Sequence, residues 1–115
     1  MVDEKTFRKM ALLFPEVTEQ SHFEKTSFRV GKKIFATFDV PNKQACLKLS
    51  EADQDVFSTY DKSVIFPVPN KWGKLGWTNI NLVKIPKKML KDALSTAYCE
   101  VAPNRLSALI SKKEE

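Results

Sequence analysis

The pattern of apolar and polar residues predicts an amphipathic helix at the start of the chain. Asp3 is a suitable N-cap, because its side chain can accept a hydrogen bond from the first helical turn. The apolar residues that follow recur at helical spacing: Phe7, Met10, Ala11 and Phe14. Pro15 cannot continue a helix, so we expect the helix to end there and the polar segment 15–20 to be a connector.

The segment 21–49 changes to a period of two and predicts an antiparallel meander. Val, Ile, Phe and Thr are frequent in it, and turn residues stand at Gly31 and at Pro41-Asn42. The predicted strands are approximately 26–30, 33–39 and 44–49. The turns between them are short enough for hairpins.

A second helix and a fourth strand are expected after the meander. Residues 50–53 resemble a capping box, with Asp in the place usually filled by Glu. The helix that follows can turn three side chains toward the core: Ala52, Val56 and Tyr60. The fourth strand, 64–66, is expected to be short or at an edge, because the prolines after it cannot donate ladder hydrogen bonds.

The remaining elements complete an α+β pattern. Residues 70–76 contain two glycines and predict a hairpin loop, and 77–83 then alternates as a fifth strand. A long helix starts near Pro86 with an apolar stripe: Leu90, Ala93, Leu94, Ala97, Tyr98 and Val101. Residues 104–111 can form one more short turn or helix. We therefore predict an antiparallel five-stranded sheet with an N-terminal helix and C-terminal helices packed on it in two layers.

Strand alternation predicts two unlike faces, because side chains two residues apart share one face of a sheet. The apolar parity contains Phe28, Val30, Ile34, Ala36, Phe38, Ala45, Leu47, Leu49, Thr78, Ile80 and Leu82. The opposite parity contains Ser27, Arg29, Lys33, Phe35, Thr37, Gln44, Cys46, Lys48, Trp77, Asn79 and Asn81. Helices can cover the first face, and the second offers cations and aromatic rings, the two components of a nucleic-acid platform. The alternative is an ordinary solvated face, or one covered by the last helix or a dimer partner.

Composition narrows the class of protein. The 115 residues fit one domain, 1–115, and the 43% hydrophobic and 29% charged residues exclude a disordered or fibrous chain. No apolar run is long enough to span a bilayer and no signal segment opens the sequence, so we expect a cytoplasmic protein. Cys46 and Cys99 are too far apart for a redox pair or a zinc site, and we expect two buried free thiols and no metal.

The net charge of +5 favours an anionic partner and draws attention to two lysine groups. In the predicted loop, Lys71 and Lys74 flank Trp72, and this Lys71-Trp72 wing can enter a groove or contact a nucleic-acid backbone. The alternative is that Trp72 folds back onto the domain while the lysines are solvated. The second group is Lys84, Lys87, Lys88 and Lys91 at the start of the long helix, which a solvated face also explains.

Catalytic chemistry has little support in the sequence. His22 is the only histidine, and no spacing connects it to a nucleophile or to metal ligands. No phosphate loop, dinucleotide fingerprint or hydrolase motif is present, so no cofactor is expected and enzymatic activity is the weaker class. Small-molecule binding or catalysis in a cleft near His22 and Tyr98 stays open as a third possibility.

An ordered set of sequence blocks resembles a known family. The blocks are FPEVTE at 14–19, SFRVGKKIFA at 27–36, LKL at 47–49, GW at 76–77 and AYCEVAPNRL at 97–106. Together they cover nearly the whole chain and resemble the MmcQ/YjbR family. The resemblance implies a compact α+β fold with a double-wing motif and a DNA-binding role, the latter proposed from the fold alone.

One departure from the family limits what can be carried over. Relatives of the YjbR type have a Tyr-His-x-Asn-Lys-x-His-Trp pattern before the fifth strand, whereas residues 67–77 here read PVPNKWGKLGW and lack both histidines. At the matching positions, the residues of interest are Arg29, Lys33, Lys48, Trp77 and Tyr98. We expect a nucleic-acid-binding protein that uses the polar sheet face and the wing. The alternative is a protein-interaction or chaperone-like module, such as a homodimer, in which the same face meets a polypeptide.

Overall fold

The computed structural model describes residues 1–22 and 25–114, which form six strands and five helices. In chain order they are α1 (Glu4–Leu12), β1 (Val17–His22), β2 (Lys25–Val30), β3 (Lys33–Asp39), β4 (Gln44–Lys48), α2 (Glu51–Ser58), β5 (Ile65–Pro67), α3 (Lys71–Lys74), β6 (Trp77–Asn81), α4 (Lys87–Val101) and α5 (Asn104–Glu114). The strands make one antiparallel sheet in the order β1-β2-β3-β4-β6-β5. The predicted α+β architecture is confirmed. Among the described residues, no helix is both long and apolar enough to span a lipid bilayer.

The prediction of five strands was wrong by one, because most of strand β1 lies in the expected connector 15–20. This strand pairs with β2, with Val17 opposite Val30 and His22 opposite Lys25. Glu16 has a positive φ of 60°, which turns the chain from α1 into β1. A polar strand at the edge of a sheet needs no apolar alternation, and its charged and polar residues discourage pairing with other chains. The hydrophobic pattern therefore could not reveal it.

A β-bulge at the start of β3 exchanges two side chains between the faces of the sheet. Phe28 pairs with Ala36 but Arg29 pairs with Ile34, so Phe35 is an extra residue in β3. Phe35 is fully buried, whereas Ile34 is half-buried on the face that carries Arg29. The sequence-based assignment of Ile34 to the core and Phe35 to the open face was wrong, since one inserted residue reverses the alternation.

The core lies between the sheet and helices α1 and α4, both of which are confirmed as predicted. Phe7 of α1 meets the ring of Phe28 at 5.6 Å between centroids. Tyr98 of α4 stacks on Phe14 at 4.9 Å and meets Phe35 edge-on at 5.7 Å. Aromatic pairs of this kind add about 0.5–1.5 kcal/mol each beyond the area they bury. Within the described residues, this packing leaves the opposite face of the sheet without a full helical layer.

Helix α2 begins where the sequence predicts but buries another side. The Ser50 hydroxyl oxygen accepts a hydrogen bond from the backbone N–H of Asp53 at 3.1 Å. The three residues expected in the core are exposed: Ala52, Val56 and Tyr60. Gln54 is buried instead and Phe57 is half-buried, because α2 packs beside β5 and turns these residues inward.

Candidate functional site

The sheet face opposite the helices, here called the open face, is ordered in three rows of cross-strand neighbours. The row at one end contains Lys25, Asp39, Gln44 and Asn81. The middle row contains Ser27, Thr37, Cys46, Asn79 and Phe66. The row at the other end contains the pairs Arg29–Ile34 and Lys48–Trp77. Neighbouring rows lie roughly 7 Å apart, because residues i and i+2 of a strand share one face.

A groove of about 480 Å³ crosses these rows, and we call it the tryptophan groove. Sheet residues such as Thr37 and Asn79 line it together with Trp77. The connection between β5 and β6 contributes Val68 and Trp72, and Trp72 is 50% exposed. The groove therefore offers aromatic surface to a ligand, and the Trp72 ring is half exposed to solvent.

The connection between β5 and β6 contains a helical turn, α3, instead of the projecting hairpin loop expected from the glycines. Asn70 caps the turn, since its Oδ1 accepts a hydrogen bond from the Trp72 backbone N–H at 2.9 Å. Gly73 is buried, and a Cβ at this position would lie 1.9 Å from the carbonyl oxygen of Val68. Only glycine allows so close an approach. The wing thus lies back toward the sheet, with Trp72 lining the groove and Lys71 Nζ 5.7 Å from its ring centroid.

Gln54 ties α3 to the sheet, a role that the sequence reasoning missed. Its Nε2 lies 3.0 Å from the Gly73 carbonyl oxygen, 3.2 Å from the Trp77 carbonyl oxygen and 3.0 Å from Thr78 Oγ1. The Thr78 hydroxyl in turn donates to the carbonyl oxygen of Gly76 at 2.9 Å. A buried amide with these partners joins α3 to the start of β6. The sequence signal for this role is the spacing of three between Gln54 and Phe57, which places both residues on one side of a helix.

The predicted cations of the sheet do not all face the tryptophan groove. Arg29 Nε donates to Ser27 Oγ at 3.3 Å, which holds its guanidinium on the open face. Lys48 Nζ donates to the carbonyl oxygen of Leu49 at 3.1 Å and lies 4.0 Å from the Glu100 carboxylate. The Lys48 ammonium is therefore drawn to the end of the strand, toward helix α4.

The other predicted lysines surround the site at its margins. Lys33 is exposed at the start of β3, and Lys71 and Lys74 are exposed on α3. Lys74 lies on the side of α3 that faces Gln54, away from the tryptophan groove. Lys25, which the sequence reasoning did not select, lines the groove directly. Its position on the open face could have been found by extending the parity of the first predicted strand, 26–30, backward by one residue.

The backbone of His22 lies at the far end of β1 from the Tyr98 hydroxyl. Tyr98 is fully buried, its hydroxyl donates to the carbonyl oxygen of Pro15 at 2.8 Å, and burial raises its pKa. Pro15 precedes β1 and His22 ends it. The two backbone positions are thus at opposite ends of the strand, roughly 16 Å apart or more at the rise of an extended chain. The aromatic contacts of Tyr98 give it a packing role in the core.

Cys46 lies at the centre of the open face, where burial raises its pKa to about 11. At neutral pH the group is therefore a protonated thiol, which is a poor nucleophile. Neither cysteine forms a disulfide. Within residues 1–22 and 25–114, no cluster of His, Cys, Asp and Glu side chains could hold a metal ion. The groove is suited to binding flat apolar rings and hydrogen-bonding groups at its polar edges.

Comparison with known proteins identifies the family. The sequence model of the YjbR family matches residues 12–100, which include the whole sheet and most of α4. The chain belongs to the YjbR family. The crystal structure of Deinococcus radiodurans protein DR2400, with a DUF419 domain, matches this YjbR fold with a TM-score of 0.77 and 18% identity, over 96% of this chain and 89% of that chain. The resemblance found in the sequence is confirmed. A search of curated proteins finds no match.

Proposed function

We propose that this YjbR-family protein binds single-stranded nucleic acid in the tryptophan groove. The observation that carries the proposal is the pair Trp72 and Trp77, which line one groove on a sheet face that the short α3 turn covers only in part. Stacking of a base on an aromatic side chain contributes about 1–3 kcal/mol and tolerates any base, because every base has a π-face. Two such rings on one surface suit a ligand with successive planar groups.

The polar groups beside the tryptophans support a nucleotide ligand. The amide side chains of Gln44 and Asn79 line the groove, and an amide can both donate and accept hydrogen bonds at a base edge. Lys25 lines the same groove, and Arg29 and Lys71 stand on its margins, where they can reach phosphates. Lys33 and Lys74 are exposed further out and add to the field. We leave Lys48 out of the contact set, because its ammonium is bound at the strand end.

The shape of the site favours a single strand over a duplex. The α3 turn packs closely on Val68 through Gly73 and directs Trp72 into the groove on the sheet, an arrangement that does not suit a wing that reads a duplex groove. Bases of a duplex are stacked on each other, whereas an unpaired strand can turn its bases onto protein aromatics. The DNA-binding role that the family resemblance implies is thus proposed here for an unpaired strand, DNA or RNA.

Titration of a labelled single-stranded oligonucleotide at low ionic strength tests the proposal. We expect binding that Trp72→Ala weakens by about 5-fold to 150-fold, the equivalent of one lost stacking contact. Tyr60→Ala is the matched control, because Tyr60 is also a half-exposed aromatic (49%) but lies beyond α2, outside the groove. Arg29→Ala should also weaken binding, and Lys48→Ala should not.

The salt dependence gives a second measure of the same interaction. Three cations near the groove predict a slope of about −2 in a plot of log affinity against log salt concentration, at about −0.7 per phosphate neutralised on a single strand. Absence of binding even at low ionic strength would reject the proposal. So would binding that Trp72→Ala and Tyr60→Ala change equally.

A protein partner on the same face is the second candidate, and two observations favour it. Asp39 lines the tryptophan groove and repels phosphates, and Ile34 and Val68 give the groove apolar surface that nucleic acid does not need. A second copy of the chain or another polypeptide could cover these groups. Light scattering over a range of protein concentrations separates this candidate from the first, since a dimer that Trp72→Ala disperses would support it.

A further inference from the structure

The helical layer contains a second groove, lined by lysines from two helices that are distant in the sequence. It has a volume of about 750 Å³. Five exposed lysines line it: Lys5 and Lys9 from α1, and Lys87, Lys88 and Lys91 from α4. The sequence shows the α4 lysines on one side of their helix, but only the fold brings α1 beside them. We call this surface the lysine groove.

The five lysines of this groove form no ion pair with any carboxylate that the structure describes. Within the described part of the chain, the ion pairs involve Arg8, Lys48 and Arg105, and none of the five lysines. Helix α4 starts at Pro86 without a side-chain cap and without an acidic residue in its first turn. The partial positive charge of the helix N-terminus therefore adds to the field of the lysines. The surface attracts a ligand with several negative charges.

An apolar groove continues from the lysine groove. It has a volume of about 320 Å³ and shares Met10, Leu13 and Lys91 with the lysine groove. Its further lining includes Phe14, Leu94 and Ile110, with Asp92 and Ser95 as polar members. Leu13 is 78% exposed where the two grooves meet. A ligand that follows both grooves thus meets cations first and apolar side chains next.

We propose that these two grooves together dock an acidic amphipathic peptide segment of a partner protein. Its carboxylates pair with the lysines, and its apolar side chains cover Leu13 and enter the groove between α1, α4 and α5. Phosphates of a nucleic acid meet only the lysines and leave the apolar half uncovered. A membrane is flat on this scale, whereas both surfaces are concave. The site lies on the helical layer and is independent of the tryptophan groove.

Fluorescence anisotropy with a labelled synthetic peptide tests this docking site on the full chain. The peptide carries Glu on one helical face and Leu at three- and four-residue spacing on the other. We expect binding that the double variant Lys9→Glu with Lys88→Glu weakens about tenfold or more. Leu13→Ser should weaken it about fivefold through lost apolar contact. The double variant Lys32→Glu with Lys62→Glu is the matched control, because both lysines are exposed and neither lines the two grooves.

Two further comparisons test whether the peptide binds through its apolar side chains and whether it binds at this site. Replacement of Leu by Ser in the peptide should weaken binding, and Trp72→Ala in the protein should leave peptide binding unchanged even if it abolishes oligonucleotide binding. Thermal unfolding of each variant verifies the fold. The proposal is overturned if the acidic peptide does not bind at low ionic strength, or if both double variants weaken it equally. It is also overturned if Lys9→Glu with Lys88→Glu affects only binding of oligonucleotides or anionic vesicles.

Discussion

The two faces of the sheet are formed by the same strands but differ in how much of each face the helices cover. On the covered face, α1 and α4 bury the side chains completely, with Phe35 and Tyr98 in mutual contact. On the open face, in the part of the chain that the structure describes, only the short α3 turn lies over the sheet, and most of the sheet residues that line the groove are half-buried. A full helical layer over one face of a sheet encloses a hydrophobic core, whereas partial cover by one helical turn leaves a groove. The amount of cover, and not the strand alternation alone, decides which face can bind a ligand.

The largest expected effect tests the β-bulge, which places Phe35 in the core and Ile34 on the open face. Phe35→Ala should lower the free energy of unfolding by about 3–5 kcal/mol, since it removes a ring from the core and leaves a cavity. Ile34→Ala, one residue earlier on the open face, should cost only about 1–2 kcal/mol, because Ile34 is half-buried. Urea denaturation of both variants measures the difference. Equal losses, or a larger loss at Ile34, would contradict the assignment of the bulge.

The next effect concerns the turn that partly covers the open face. Gln54→Ala should lower the free energy of unfolding by about 1–3 kcal/mol, because it removes the amide donor from buried acceptors. The same change should loosen α3 and increase the solvent exposure of Trp72, which tryptophan fluorescence and hydrogen exchange report. Asp55→Ala is the control, since Asp55 is the exposed neighbour on the same helix. If the two variants behave alike, Gln54 does not hold the turn.

A smaller effect is expected on the alkylation rate of Cys46, which measures how deeply the centre of the open face is covered. The pKa of Cys46 is raised from 9.0 to about 11, so alkylation by iodoacetamide near pH 8 should be about a hundredfold slower than in the unfolded chain. Peptide mass spectrometry distinguishes Cys46 from Cys99. An oligonucleotide bound in the tryptophan groove should slow the reaction of Cys46 further. Rapid alkylation of folded Cys46 would show that the groove is more open than the structure indicates.

The smallest effect is expected at an exposed ion pair outside both faces. Arg105 Nη1 lies 2.7 Å from Glu16 Oε2, and this guanidinium lowers the pKa of Glu16. Because the folded-state pKa is the lower one, the pair stabilises the fold above the unfolded pKa of about 4.3, and this contribution is lost as the pH falls through the folded value. Arg105→Ala should therefore lower the Tm slightly near pH 7, and the difference should shrink as the pH falls through the folded-state pKa of Glu16. Lys62→Ala, an exposed lysine, should show no such pH dependence.

Local patterns were sufficient for the elements that carry their own apolar periodicity. Helices α1 and α4 show complete apolar stripes, and the alternation along β2, β4 and β6 matches their buried residues. Such patterns are readable because each helix or strand buries one face along its own length. The family blocks, which are also properties of the linear sequence, led to the correct family.

The features that shape the candidate sites were decided by the tertiary structure. Strand β1 exists because it pairs with β2, and the bulge is defined by its partner strand. The position of Trp72 depends on the approach of Gly73 to Val68, and the position of the Lys48 ammonium depends on Glu100 of α4. Lys9 and Lys88 line the same groove although most of the sequence lies between them. The sequence by itself determined which residues form most elements and which family they belong to. The tertiary structure decided which side chains share a surface, because those contacts join residues whose spacing in the sequence carries no information about their distance.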